Sequence, residues 1–268
     1  MLTALIASVV VVKTDFVFGI QAWTYHRFTT FEAIEMAAQA GAENIELYPG
    51  QELKPGSDVG VGPEMPASAL GELEAQLTKF HLRPVAFGVT GISRDPNEAR
   101  KLFRWAKGLH LMVINTESTD AIDTIEQMVK EFDIKVGFHD HPRQPNNPNY
   151  KMWDPNYVLS VLRNRDRRIG SCADIGHWVR SGIKPIEAVR ILKGRIVSSH
   201  LKDLNEFSPN GHDVPFGTGI SGIAEVLAEY RRQRFNGPAD VEYEYHEENP
   251  QAEAAACVGF LRGWAARE

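Results

Sequence analysis

The stretch RIGSCADIGHWVRSGIKPIEAVRILKGRIVSSHLKD, residues 168–203, decides the fold. It opens on a short apolar run, Arg168 to Ala173, which ends at Asp174 with His177 three residues on. A helical pattern follows from Ile186 to Leu192. A second apolar run, Arg195 to Ser199, then gives way to His200 and Lys202. Strand, helix and strand at this spacing make a parallel pair. Side chains alternate along a strand with period two, so His200 and Lys202 share a face.

The same unit recurs on either side. Strands are expected at Val17–Trp23, Glu43–Tyr48, Arg83–Val89, Leu111–Asn115 and Lys135–Phe138 before this stretch, and at Ala239–Tyr243 after it. Helical patterns fill the intervals. In the first, Phe31, Ile34, Ala37 and Ala38 form one apolar face, with Thr30 as N-cap and Gly41 as C-cap. Eight such units in 268 residues suit a (β/α)8 TIM barrel, which needs about 250. The rival, an open doubly wound sheet, usually carries a glycine-rich phosphate loop after its first strand, and none follows Val17–Trp23. The expected architecture is therefore α/β, with a single TIM-barrel catalytic domain over residues 17–268. Two long loops, 49–66 and 142–154, follow strands and so belong to the catalytic face of such a barrel, as lids or substrate walls.

Bulk properties narrow the partners. A net charge of −6 and a pI near 5.9 disfavour nucleic acid and anionic membrane surfaces, and leave a small molecule as the expected partner. Cys172 and Cys257 are the only cysteines, too few for a disulfide framework. Residues 1–16 are expected to be an N-terminal extension. Its apolar run, Met1 to Val12, is shorter than the roughly 20 residues of a bilayer span and has no basic residue before it. It reads either as the remnant of an export signal or as a segment packed under the barrel. Cytoplasmic residence is the expectation, with export left open by those twelve residues.

The chemistry gathers at the strand ends. Glu117 follows the fourth strand, His139 and His141 the fifth, Asp174 the sixth, His200 and Lys202 the seventh, and Glu242 and Glu244 the eighth. In a barrel these positions converge on one site. Carboxylates crowded there repel unless a cation joins them. Three acids (Glu117, Asp174, Glu242) and one imidazole (His200) make a set for one divalent metal ion. Mn²⁺ is favoured over Mg²⁺, Co²⁺ or Zn²⁺, because hard oxygen donors dominate and no thiolate takes part. Lys202 is a candidate stabiliser of a developing oxyanion, or else the partner of Asp203 in a salt bridge. His139 and His141 are candidates to bind substrate. Asp174 has a second reading as a plain helix cap.

In the ordered set ENIELY, VINTEST, HDH, ADIGH, SHLKD, PFGTG and VEYEYHEEN, the chain resembles the xylose-isomerase-like barrel superfamily of sugar phosphate isomerases and epimerases. The resemblance runs from about Phe18 to Phe260. It implies that Glu117, Asp174, His200 and Glu242 hold the metal, and that Glu117 and Glu242 are the acid/base pair on opposite faces of the substrate. His177 would touch the substrate, as would Glu46 of ENIELY, and His212 to Gly219 would close over the site. HDH stands where HNH is frequent, and Lys202 stands near where the epimerases often carry an arginine.

The implied activity is sugar isomerisation or epimerisation by proton transfer through a metal-stabilised enediolate, on a ketose, aldose or related polyol. The same groups suit dehydration of a keto-polyol. The superfamily's DNA-repair branch, with three zinc ions, is disfavoured by the acidic charge, and a barrel that only binds sugar is a further alternative. Such barrels are often dimers or tetramers, so a homo-oligomer is in keeping with the resemblance.

Overall fold

A computed structural model describes residues 16–267, so all of the expected N-terminal extension but Phe16 lies outside the described residues. Eight parallel strands close into a barrel: β1 Val17–Gln21, β2 Asn44–Leu47, β3 Arg83–Phe87, β4 Val113–Thr116, β5 Lys135–His139, β6 Ile169–Asp174, β7 Ile196–Leu201 and β10 Pro238–Val241. Around the ring they run β1, β10, β7, β6, β5, β4, β3, β2. A small antiparallel pair, β8 Asp203–Leu204 and β9 Asp213–Val214, stands between β7 and β10 in the chain. Each barrel strand lies within a few residues of its expected bounds.

Nine α-helices are described: α1 Thr30–Gln39, α2 Ala67–Lys79, α3 Pro96–Gly108, α4 Ile122–Phe132, α5 Pro155–Val161, α6 Ile175–Arg180, α7 Pro185–Ile191, α8 Ile223–Arg232 and α9 Gln251–Ala266. They bury apolar stripes against the outer face of the barrel. On α3 the stripe is Ala99, Leu102, Phe103 and Ala106, and on α4 it is Ile125, Met128 and Val129. A buried Leu, Ile or Phe contributes about 1.5–3 kcal/mol, and this shell supplies most of the apolar core. Among the described residues no helix is long and apolar enough to cross a membrane.

Two local features refine the sequence reading. The cap of α1 is Thr29, one residue before the expected Thr30. Thr29 and Glu32 form a reciprocal capping box, while the Thr30 hydroxyl donates to the Glu52 carbonyl at 3.1 Å. Gly41 does follow the helix end, with φ of +91°. Helix α6 is the one that the second reading of Asp174, as a helix cap, implied, though its six residues are too few to display a period. It starts directly after Asp174, with no intervening loop.

The barrel interior is polar in its upper part. Gln21, Glu46, Asn115, Asp174, His200 and Asp240 are all buried there. Small residues leave them room: a Cβ on Gly137 would stand 2.5 Å from Asn115 Oδ1. The register places Asp174 level with His200 on β6 and β7, and Asp240 level with His200 on β10 and β7.

Candidate metal centre

Four side chains meet at the C-terminal mouth of the barrel. His139 is the last residue of β5, Asp174 the last of β6, and His200 the penultimate residue of β7. Glu242 follows β10, and its backbone N–H still donates to the Leu201 carbonyl at 3.1 Å, so the ladder holds it in place. One donor atom from each lies within 4.8 Å of the others. His200 Nδ1 is 3.1 Å from Glu242 Oε2 and 4.0 Å from Asp174 Oδ2, and His139 Nε2 is 3.6 Å from Asp174 Oδ2. All four residues are at most 6% exposed.

Asp174 divides its work between its two oxygens. Oδ1 accepts the His177 N–H at 2.9 Å and caps α6, while Oδ2 faces the cluster. The helix-cap reading of this residue holds, and it leaves the second oxygen free to face the cluster. The Asp140 carboxylate accepts the Asp174 backbone N–H at 3.0 Å and fixes the strand end from behind.

Lys202 supplies the local positive charge. Its Nζ lies 2.9 Å from Asp174 Oδ2, Glu242 Oε2 and Glu244 Oε2, and only the contact with Glu244 has hydrogen-bond geometry. Burial alone would lower the Lys202 pKa, but Asp174, Glu242 and Glu244 outweigh it and hold the ammonium well above its usual range. Burial alone would raise the Asp174 carboxyl, but His177, Lys202 and His139 keep it well below the usual carboxylate range. Burial likewise works against ionised Glu242, and Lys202 and His200 reverse the effect. Lys202 is not the partner of Asp203. That carboxylate instead accepts the backbone N–H groups of Gly217, Gly219 and Ser221 at 2.8–3.0 Å, so the loop GTGISG (217–222) is wound around a side chain of the protein itself.

The donor set fits a divalent cation. Asp174 Oδ2, Glu242 Oε2, His200 Nδ1 and His139 Nδ1 are buried and have no hydrogen-bond partner. Unpartnered buried donors and acceptors cost free energy, and a cation among them removes that cost for the converging atoms. The set is two carboxylates and two imidazoles.

Glu117, expected among the ligands, stands in a second group. Its Oε1 accepts from Tyr150 Oη at 2.6 Å and lies 2.7 Å from His141 Nδ1 and 3.9 Å from His139 Nδ1. Beyond Thr116 the chain turns, with the Ser118 N–H donating to Thr116 Oγ1 and the Thr119 N–H to the Glu117 carbonyl. That turn sets Glu117 over the β4–β5 rim, and His139 completes the deeper cluster. Burial would raise the Glu117 carboxyl, but its bonds to His139, His141 and Tyr150 hold it far below the usual range.

A cavity of about 460 Å³ opens above the cluster, lined by His139, His141, His177, Glu242 and Glu244 on one side and by Trp23 and Tyr48 on the other. Glu46 does not line it. That side chain is fully buried below His200, with Asn115 Nδ2 donating to Oε1 at 2.9 Å. Burial and the nearby Glu46 push the Asp240 carboxyl well above its usual range. Sequence reasoning did not single out Gln21, Trp23, Tyr48 or Asp240. Gln21 continues the inward parity from Gly19 on the first strand, a signal present in VFGIQAW but masked by its apolar character, whereas Trp23 lies past the strand in a 3-10 turn, Ala22–Tyr25.

The xylose isomerase-like TIM barrel family model matches residues 114–264. No curated protein matches the chain. An uncharacterised protein of Parabacteroides distasonis is 29% identical, with a TM-score of 0.73 over 93% of this chain and 99% of its own. D-allulose 3-epimerase from Methylomonas sp. is 16% identical, with a TM-score of 0.71 over 94% and 99%. The probable 3-DHS dehydratase AsbF of Bacillus anthracis is 15% identical, with a TM-score of 0.66 over 92% and 99%.

Proposed function

Since the chain belongs to the xylose isomerase-like TIM barrel family, we propose that it is a metal-dependent sugar isomerase or epimerase acting on an uncharged ketose, aldose or related polyol. The observation that carries this reading is the convergence of His139, Asp174, His200 and Glu242 at the floor of the cavity, with Glu242 both in the cluster and on the cavity wall. Those four side chains would hold one divalent ion. Two imidazoles beside two carboxylates suit Mn²⁺, and also Co²⁺ or Zn²⁺, better than Mg²⁺. When bound, the ion would polarise the substrate carbonyl and make the adjacent C–H acidic.

The chain's own groups do the proton work. Glu242 removes the proton α to the carbonyl from the β10 side of the cavity. Strands β10 and β4 lie opposite each other in the eight-membered ring, so Glu117 faces Glu242 across the mouth. On the other face Glu117 stays ionised and orients His141 and Tyr150, and a proton carried by His141 is the one returned to the substrate. Proton return to the opposite face of the same carbon gives an epimer, and return to the neighbouring carbon gives an isomer. His177 and His141 line the cavity as substrate hydrogen-bond partners. Lys202 holds the carboxylates in place and adds positive charge near the developing oxyanion.

A lyase is the second reading. Two imidazoles outside the deep cluster, His141 and His177, line the same cavity, and elimination needs an acid to protonate a departing hydroxyl. The fold is shared with an epimerase and with a probable dehydratase, and both reactions begin with proton loss next to a carbonyl. The test is incubation of the Mn²⁺-loaded protein in D2O with a panel of ketohexoses and keto-polyols, read by NMR. Deuterium at the carbon α to the carbonyl supports the isomerase reading. A new vinylic signal with loss of water supports the lyase. No exchange into any panel member counts against both.

A further inference from the structure

His200 stands between carboxylates that address different nitrogens of its ring. Nε2 lies 3.0 Å from Glu46 Oε2. Nδ1 lies 3.1 Å from Glu242 Oε2 and 4.0 Å from Asp174 Oδ2, and has no hydrogen-bond partner. Glu46 belongs to β2, three places from β7 around the ring, so its side chain reaches through the barrel interior to meet the imidazole. It is 0% exposed and lines no wall of the cavity. Its second oxygen is occupied as well. Asn115 Nδ2 donates to Glu46 Oε1 at 2.9 Å and to Ser198 Oγ at 3.2 Å, which uses both of its hydrogens.

A carboxylate buried this deeply costs several kcal/mol unless it is paired and hydrogen-bonded. Contact with substrate does not account for it, because the His200 ring lies between Glu46 and the cluster. We propose that Glu46 is a positioning residue: its carboxylate accepts the His200 Nε2 proton, fixes that tautomer, and so turns the Nδ1 lone pair toward Asp174 and Glu242 as the donor for a cation. A neutral imidazole carries one proton, and the bond made by one nitrogen decides what the other presents. With the proton on Nδ1 instead, the Nε2 lone pair would face a carboxylate oxygen at 3.0 Å, too close for a water between them. Asn115 and Ser198 complete the support, because they hold the Glu46 carboxylate at the angle that meets the ring.

This inference rests on the metal-dependent reading above, but its test reads no sugar chemistry. The full-length protein is labelled with ¹⁵N, its imidazoles are observed by long-range ¹H–¹⁵N spectra, and His200 is assigned with His200→Gln. Spectra are taken metal-free and with Zn²⁺, and Zn²⁺ affinity is measured by chelator competition. The expected wild-type spectrum has a protected His200 Nε2–H in both states, with Nδ1 alone shifting when Zn²⁺ is added. In Glu46→Ala the Nε2–H signal is lost to tautomer mixing and solvent exchange, and Zn²⁺ affinity falls about ten- to a hundredfold. In Glu46→Gln, whose amide oxygen still accepts, the signal persists and affinity stays within severalfold of wild type.

A wild-type spectrum with a proton on Nδ1 and none on Nε2 overturns the proposal without any variant having to fold. So does a folded Glu46→Ala that binds Zn²⁺ as tightly as wild type. The expected tautomer in a protein that exchanges deuterium into no sugar removes the proposed reaction and leaves this inference standing. The opposite tautomer in an active enzyme does the reverse.

Discussion

The two halves of the barrel mouth carry similar residues and treat them differently. On the β6–β7–β10 side, Asp174, His200 and Glu242 are at most 6% exposed, and the converging atoms are met by one another and by Lys202. On the β4–β5 rim, the side chains of Glu117 and His141 are 30% and 46% exposed, and Glu117 has a phenol at 2.6 Å and an imidazole at 2.7 Å. The rim carboxylate already has donors of the protein around it. The deep carboxylates crowd against each other and against an unpartnered nitrogen. What separates the halves is that the deep carboxylates share one ammonium among several unpartnered atoms, whereas the rim carboxylate has a phenol and an imidazole of its own.

The largest expected effect separates the halves directly. Asp174→Ala removes a deep donor, one ion-pair partner of Lys202 and the cap of α6. The protein purified without chelator is expected to contain almost no divalent metal, with affinity lowered more than about a hundredfold, as loss of a primary ligand exceeds the ten- to hundredfold typical of an outer partner. Glu117→Ala is expected to retain close to the wild-type content. Elemental mass spectrometry on the two variants decides it. Equal loss in both would mean that the rim carboxylate joins the ion after all, and the contrast drawn above would collapse.

Next comes the division of labour within the deep cluster. Glu242→Gln keeps the shape and one oxygen donor but cannot take up a proton. Deuterium exchange into an accepted sugar is expected to fall by about 10²–10⁴, the range for loss of a general base. Metal content measured on the same sample tells whether the loss lies in chemistry or in binding. An unchanged exchange rate with full metal would remove Glu242 from the mechanism.

Much of this was legible in the chain. Short Val- and Ile-rich runs alternating with helical periods specified the barrel, and the residues at strand ends specified its mouth. Asp174 and His200 were readable because they lie within strands, where register fixes depth and parity fixes direction. Glu117 was harder to read because it lies one residue past β4, where the Thr116–Ser118 turn sets its direction, and no periodicity reports a turn. The role of Glu46 was hidden for another reason. Its partners, Asn115 and His200, are 69 and 154 residues away, and only closure of the ring brings them together. The wrapping of GTGISG around Asp203 reaches back only 14 to 18 residues, but no periodicity reports it either.

A smaller effect is expected where the deep half depends on a missing side chain. Gly176, on α6, faces Lys202 so closely that a Cβ there would lie 2.5 Å from Lys202 Cβ. Gly176→Ala gains helix propensity but must displace the lysine backbone or α6. Overpacking of this kind costs about 1–3 kcal/mol. Thermal unfolding is expected to move down by several degrees, and more in the metal-free protein than in the loaded one, because a bound ion holds the same carboxylates that Lys202 holds. Equal melting of variant and wild type would show that Lys202 has slack the geometry does not suggest.

The smallest effect tests the rim. Tyr150 comes from the long loop after β5, donates to Glu117 Oε1 at 2.6 Å and accepts the His141 backbone N–H at 2.8 Å. It therefore ties the loop, the histidine and the carboxylate into one unit. Tyr150→Phe removes a hydrogen bond to a charged group, worth about 1.5–3 kcal/mol when buried and less here, because Glu117 is partly open to water. The ring remains to pack, and His141 still meets the same oxygen. Metal content is expected to be unchanged, and exchange to slow by less than about tenfold, in keeping with a residue that aims a satisfied carboxylate rather than building an ion site. Loss of metal in this variant would mean that the two halves of the mouth are one site, and that the division between a half built to receive an ion and a half built to hold its own charge is wrong.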